Sequence, residues 1–104
     1  MRYVFDIDGT ICSNTNGRYE LAAPNTKAIE KINKLYKQGH TIIYYTARGM
    51  GRNNDSVEQA ESQFRELTEH QLNYWGCNYH KLLMGKPSGD LYIDDKGVSN
   101  ADFF

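Results

Sequence analysis

The chain has 104 residues, enough for one small domain, and we expect residues 1–104 to form that single domain. Its hydrophobic fraction of 39% and charged fraction of 24% are ordinary for a globular protein. The formal net charge of −1 gives no overall attraction to a nucleic acid or a membrane surface, so an anionic ligand would need a local site.

The sequence favours a cytoplasmic protein. Its start, MRYVFDIDGT, reaches two carboxylates before the apolar region of a signal peptide could form. No apolar stretch approaches the roughly 20 residues that a membrane span needs. Cys12 and Cys77 match no metal-ligand spacing, and we expect reduced thiols.

The first half of the chain predicts strand, loop, helix and strand. Arg2 to Ile7 is rich in β-branched and aromatic residues, which favours a strand, and CSNTNGRYELAAPN is typical of a loop or small flap. A helix is predicted from Thr26, capped by Asn25 or Thr26 and ended by Gly39. TIIYYTA predicts a second, buried strand, followed by the loop RGMGRNN.

The second half begins with a longer helix, opened by Asp55 and Ser56 and closed by Gly76. One face of this helix is apolar with a single polar interruption; it comprises Val57, Ala60, Phe64, Leu67, Gln71 and Trp75. HKLLMG and DLYIDD then predict two short strands, and SNADFF a last helical turn.

This alternation of strands and helices predicts an α/β fold with a parallel sheet and helices packed on it. In such folds the carboxyl ends of the strands lie along one edge, where ligands bind. The polar motifs DIDGT, TARG and IDD would meet at this edge, with GKPSG nearby.

Asp6 and Asp8 are one residue apart, so in a strand their side chains would point the same way. Two such carboxylates repel each other unless a cation neutralises them, and Mg²⁺ prefers oxygen ligands. Asp94 and Asp95, after another apolar run, could supply further carboxylates. The alternative is that Asp6 and Asp8 merely begin a loop and cap a turn.

Three further residues are candidates for binding an anion. The Thr46 hydroxyl could donate to a phosphate oxygen, and the Lys86 ammonium would offset the carboxylates. Arg48, like Arg52, could bind a second phosphate or carboxylate group, although solvated loop arginines are equally common.

Together these motifs resemble those of the haloacid dehalogenase-like (HAD) superfamily of phosphotransferases. DIDGT resembles its first signature, Asp-x-Asp-x-Thr, and DLYIDD its acidic fourth motif. Thr46 and Lys86 resemble the second and third motifs, which are single residues. The resemblance implies an abbreviated Rossmann-like, HAD-type sheet flanked by helices, without a cap domain.

The resemblance also implies roles for these residues. Asp6 would be the nucleophile that forms an aspartyl-phosphate, and Asp8 would protonate the leaving oxygen and then activate water. The Asp6 carboxylate, the Asp8 backbone carbonyl and Asp94 would hold Mg²⁺, with Asp95 acting through water. The phosphoryl oxygens would be held by Thr46 and Lys86.

Two departures from the family pattern stand out. Only PSGDLYI separates Lys86 from Asp94, too little for a crossover helix. Either the sheet is abbreviated or the motif assigns Lys86 as the phosphate lysine less firmly. Asp90 is an alternative start of the acidic motif, but Asp94 is preferred because the apolar LYI before it would deliver it to a strand end. The second departure is that no insertion is large enough for a cap domain.

The chain therefore resembles small capless phosphatases of bacterial sugar and capsule pathways, and we expect a Mg²⁺-dependent phosphomonoesterase for a small phosphorylated metabolite, a sugar phosphate first. The apolar DFF and the missing cap are compatible with a homo-oligomer. One alternative is a receiver-like signalling domain, which would carry its phosphoacceptor aspartate on a middle strand. Another is a non-catalytic module that binds phosphate and metal.

Overall fold

Three strands and three helices make up the protein, and its computed structural model describes all residues from 1 to 104. In chain order they are β1 (Arg2–Phe5), α1 (Thr26–Lys37), β2 (Thr41–Thr46), α2 (Val57–Tyr74), β3 (Lys81–Met84) and α3 (Asn100–Phe103). Two one-turn 3₁₀ helices lie in the loops, at Tyr19–Leu21 and Gly51–Asn53. None of the helices combines the length and the apolar character needed to cross a membrane.

The sheet has the strand order β1-β2-β3, and both pairs of neighbours are parallel. This confirms the predicted α/β class with a parallel sheet, and the architecture is consistent with a Rossmann-like fold. Because all three strands run the same way, their carboxyl ends share one edge of the sheet. DIDGT directly follows β1 and TARG begins at the last residue of β2, so these two polar motifs lie at this edge, whereas IDD follows no strand.

One face of the sheet carries the hydrophobic core. Side chains alternate along a strand, and Phe5, Tyr44 and Leu82 from the three strands all point to this face. They pack with Ile32 of α1 and Leu72 of α2 in one cluster, so both long helices cover the same face. On the opposite face, Val4 is 60% exposed and Leu83 is 43% exposed.

The predicted bounds of α1 are confirmed. Asn25 is the N-cap, and its side chain accepts a hydrogen bond from the Ala28 backbone N–H. Gly39 has a φ of +93°, a left-handed conformation that glycine adopts without steric cost, and it ends the helix as predicted. The predicted start of α2 is confirmed too. Ser56 is its N-cap, and the Ser56 side chain accepts a hydrogen bond from the Gln59 backbone N–H.

The strand predicted for DLYIDD is wrong. Residues 91–99 form neither strand nor helix, and Leu91 and Ile93 are 81% and 95% exposed. An apolar run becomes a strand only when it pairs, and the short link from β3 prevents that within the chain because parallel strands need a crossover of a dozen or more residues. Consequently β1 has no second neighbour and forms an edge of the sheet.

Candidate active site

The candidate active site lies where the three strands end. β1 ends at Phe5, two residues short of the prediction, so Asp6 and Asp8 follow the strand directly. Thr46 is the last residue of β2, and Lys86 lies two residues beyond β3. A cavity of about 380 Å³ opens here and is lined mainly by polar groups, including Asp6, Asp8, Thr46 and Arg48.

The chain turns sharply between the two aspartates and the buried Ile11. The N–H groups of Thr10 and Ile11 both donate to the Ile7 carbonyl, and Gly9 adopts a φ of +81°. A side chain at this φ would be strained, which explains the glycine in DIDGT. The turn leaves the Asp6 and Asp8 side chains half-buried at the cavity.

Asp6 lies next to Lys86. The Nζ–Oδ1 distance is 3.7 Å, and the Lys86 backbone N–H donates to the Thr46 carbonyl, which fixes this residue beside β2. Burial raises the pKa of the Asp6 carboxyl above 3.8, and the nearby Asp8 charge adds to this, while Lys86 opposes it. The structure thus places the Lys86 ammonium beside the Asp6 carboxylate.

Asp8 is held by a buried guanidinium. Arg48 donates from Nε to Oδ2 at 2.8 Å and from Nη2 to Oδ1 at 3.0 Å, and its side chain is fully buried. The third nitrogen of Arg48, Nη1, donates to Thr68 and Gln71 of α2. The Cys12 thiol also lies 3.5 Å from Oδ1, and burial raises the pKa of that thiol to about 12, so it stays a neutral donor.

All three guanidinium nitrogens of Arg48 therefore already donate within the protein. This geometry favours a role in positioning Asp8, and the contact with phosphate that the sequence suggested for Arg48 stays a prediction. Arg52 is the more available arginine of the cavity, because it is exposed and only its Nη2 has a partner, the Gly17 carbonyl.

Thr46 is fully buried at the floor of the cavity. Its Oγ1 accepts a hydrogen bond from the Arg48 backbone N–H at 3.1 Å. The hydroxyl proton remains available as a donor to a bound anion, as the sequence-based role requires. Asp6, Asp8, Thr46 and Lys86 are thus brought together as predicted, although their chemical roles remain predictions.

The acidic pair Asp94 and Asp95 does not join this group. Both residues are exposed, and no three acidic, histidine or cysteine side chains are close enough to hold a metal ion. Asp94 lines a separate groove beside β1, and its carboxylate accepts from the Lys96 N–H. Asp90, the alternative start of the acidic motif, is exposed as well. Metal binding by Asp94 and Asp95 stays a prediction, but within a single chain these residues do not come together with Asp6 and Asp8.

Several residues of the cavity were not predicted. Tyr19, from the flap between β1 and α1, accepts from the Gly49 N–H and packs on the Arg48 guanidinium. Gln71 bonds Arg48 and the Tyr19 carbonyl. The sequence did contain a signal for Gln71, because it is the single polar residue on the predicted apolar face of α2. The other unpredicted polar lining residues are Asn14, Asn16 and Ser88.

The same fold occurs in solved structures. The crystal structure of an MCSG target from Vibrio cholerae has a TM-score of 0.90 and 26% sequence identity, covering 98% of this chain and 85% of that one. A chain in the structure of the Pnkp1/Rnl/Hen1 complex has a TM-score of 0.60 and 26% identity, covering 90% of this chain and 30% of that one. No family model matches the sequence, and no curated protein does. The likeness therefore concerns architecture.

Proposed function

We propose that the protein is a HAD-like, Mg²⁺-dependent phosphatase that hydrolyses a small phosphomonoester through an aspartyl-phosphate. The observation that carries the proposal is that Asp6, Asp8 and Thr46 line one cavity on the carboxyl edge of a parallel sheet, with the Lys86 ammonium 3.7 Å from the Asp6 carboxylate. These are the residues on which the sequence resembles that superfamily. Phosphoryl transfer requires this kind of positioning and charge stabilisation rather than elaborate covalent chemistry.

The reaction takes two steps. In the first, a carboxylate oxygen of Asp6 attacks phosphorus, the ester P–O bond breaks, and the leaving alkoxide takes a proton from Asp8. In the second, water attacks the same phosphorus and gives a proton to the Asp8 carboxylate, and the Asp6–phosphorus bond breaks. Inorganic phosphate leaves and both aspartates return to their starting states.

Several residues around Asp6 and Asp8 contribute to the transfer. Lys86 and the Thr46 hydroxyl donate to the phosphoryl oxygens. Arg48 holds Asp8 in one orientation through two hydrogen bonds, so the proton is delivered from a fixed position. The flap residue Tyr19 packs on Arg48 and closes one side of the cavity.

The donor set of one chain is compatible with Mg²⁺, which is commonly bound by one or two carboxylates together with substrate phosphate and water. The Asp6 carboxylate has only Lys86 as a side-chain partner, and no protein N–H donates to the Asp8 backbone carbonyl. These two groups would hold the ion, with Asp94 and Asp95 as the further predicted ligands. When bound, Mg²⁺ would neutralise charge on the phosphoryl oxygens.

The cavity favours a small polar substrate. Its volume of about 380 Å³ lies near the lower end of small-ligand sites, and Asn14, Asn16 and Ser88 offer hydrogen bonds to hydroxyl groups. Arg52 could bind a second anionic group of the substrate. A sugar phosphate fits this lining and remains the first candidate.

A panel of phosphomonoesters, sugar phosphates included, tests the proposal by release of inorganic phosphate with Mg²⁺ and with a chelator. We expect multiple turnovers that need Mg²⁺ and that Asp6→Asn reduces by on the order of 10³-fold or more. Asp102→Asn, an exposed aspartate of α3, is the matched control and should retain full activity.

Two results would contradict this proposal. Full activity of Asp6→Asn would exclude Asp6 as the nucleophile. A single self-phosphorylation without turnover would favour the receiver-like alternative, although the middle strand β2 ends in Thr46 and carries no aspartate.

A further inference from the structure

The edge strand β1 borders a large, partly apolar groove. This β1 groove has a volume of about 1010 Å³; its lining includes Met1 to Phe5 on one side and Tyr92, Asp94, Lys96, Gly97 and Val98 on the other. β1 pairs only with β2, so the outer backbone groups of β1 have no strand partner. Such an edge is a template for one more strand.

The segment Leu91–Asp95 has the composition of the missing strand but no strand partner in its own chain. No backbone N–H or C=O of this segment bonds to another backbone group. Leu91 and Ile93 are 81% and 95% exposed, while Tyr92 bonds only locally, to the Pro87 carbonyl and the Gly89 N–H. The same molecule thus exposes an unpaired strand edge and an unpaired strand-like segment.

The segment cannot become a parallel neighbour of its own β1. β3 ends at Met84, at the edge of the sheet where Asp6 lies, and only Gly85–Asp90 connect it to Leu91. Parallel pairing needs a return across the sheet, which takes a dozen or more residues. Antiparallel pairing needs no crossover, but it would carry Asp94 to the opposite edge, about 10 Å from Asp6.

A second copy of the chain is free of this restriction. We infer that Leu91–Asp95 of a second copy adds to β1 as a parallel strand, reciprocally in a two-fold dimer, and that Asp94 of the second copy completes the Mg²⁺ site at Asp6. The inference rests on the proposed function for the role of Asp94, and on the groove and the unpaired segment for the dimer. Reciprocal exchange of an identical element is an established route to dimers.

The charges of the two surfaces are complementary. Apart from Asp94 and Lys96, which belong to the exchanged region itself, the charged side chains that line the β1 groove are Arg2 and Lys86, and both are cationic. The incoming segment Leu91–Asp95 carries two carboxylates, those of Asp94 and Asp95. Attraction of this kind favours association with the acidic segment and fixes its register.

The pairing register follows from the site. If Asp94 of the second copy lies beside Asp6, its Ile93 and Leu91 lie beside Phe5 and Tyr3. Successive side chains of a strand alternate, so both aliphatic residues then point to the face where Phe103 packs on Tyr3 and Phe5. A slip by one residue would turn them to the other face, so burial of these residues and placement of Asp94 require the same register.

Mixing two inactive variants tests the shared site. Asp6→Asn and Asp94→Asn should each be inactive alone, because every site lacks one carboxylate. After the two proteins are unfolded and refolded together in equal amounts, half of the dimers are mixed, and each mixed dimer has one intact site, so about one quarter of wild-type activity should return. Asp6→Asn mixed with Asp8→Asn is the control; both residues belong to the same copy, and no activity should return.

A cross-linking test needs no activity. The register places Tyr92 of one copy beside Val4 of the other, and the native Cys12 and Cys77 are buried. A mixture of Val4→Cys and Tyr92→Cys proteins, oxidised with copper phenanthroline, should form disulfide-linked pairs of one chain each, and wild type should sediment as a dimer. Val4→Cys mixed with Glu30→Cys, an exposed residue of α1, should not link.

The outcomes separate this inference from the proposed function. A monomer in sedimentation, with no link between positions 4 and 92, would overturn the exchange. An active wild type whose Asp6→Asn and Asp94→Asn mixture recovers no activity would overturn the shared site while the phosphatase proposal stands. Linked dimers without activity toward any phosphomonoester would support the exchange and contradict the proposed function.

Discussion

Asp6 and Asp8 are separated by one residue but have opposite surroundings. The Asp6 carboxylate has one weak ionic partner, Lys86 at 3.7 Å, whereas Asp8 accepts two short hydrogen bonds from the buried Arg48. A nucleophile needs a carboxylate oxygen that is free to reach phosphorus, while a proton donor needs a fixed orientation. The two environments therefore match the different roles proposed for the two residues.

Replacement of Asp6 is expected to stabilise the metal-free protein at neutral pH. Because the pKa of Asp6 is raised in the folded state, its ionised form costs folding free energy, and this cost appears as the pH rises from 3.8 through the raised pKa. Asp6→Asn removes the ionisation. Its melting temperature should exceed that of wild type near pH 7, in a chelator, and the difference should vanish below pH 3.8. An equal or lower melting temperature near pH 7 would contradict this account.

Replacement of Asp8 should have the opposite effect on stability. Asp8→Asn leaves the buried Arg48 guanidinium with a neutral partner, which we expect to cost on the order of 2 kcal/mol in urea unfolding. In a double-mutant cycle, Asp8→Asn should cost much less in an Arg48→Met background, because the buried charge is then gone. If the two substitutions are additive, the pair does not stabilise the fold.

Among the helices and strands, the sequence correctly predicted those features that depend on residues close together in the chain. The bounds of α1 were predicted because Asn25 and Gly39 act through short-range capping, and β2 because its apolar run lies between two turns. The strand at DLYIDD was wrong because pairing depends on a partner, which the sequence pattern does not specify. The contacts of Arg48 with Gln71 are likewise tertiary, since 23 positions separate the two residues.

The cap of α1 provides a test at this scale. Asn25→Ala removes the acceptor of the Ala28 N–H at 3.2 Å and should lower the free energy of unfolding by about 1 kcal/mol. Asn25→Asp keeps the acceptor and should remain close to wild type. Equal stability of all three proteins in urea unfolding would show that this cap contributes nothing measurable.

For the molecule as a whole, a parallel sheet of three strands explains both what the site contains and what it lacks. Each strand delivers one part of it at the carboxyl edge: Asp6 and Asp8 from β1, Thr46 from β2 and Lys86 from β3. These four were predictable because each follows an apolar run. Asp94 also follows an apolar run, but that run forms no strand in a single chain. Of the residues that the sequence predicted to meet at the sheet edge, only those that follow the three observed strands do so.

The central claim is that Asp6 receives a phosphoryl group, and acid-quenched turnover tests it most directly. Wild type and Asp8→Asn are mixed with a hydrolysed phosphomonoester and Mg²⁺, quenched within the first turnover, digested and mapped by mass spectrometry. We predict a phosphoryl group on Asp6 in both proteins, with a larger fraction in Asp8→Asn, because removal of the general base slows hydrolysis of the intermediate. Turnover with the phosphoryl group on another residue, or with none on Asp6 in either protein, would contradict the account.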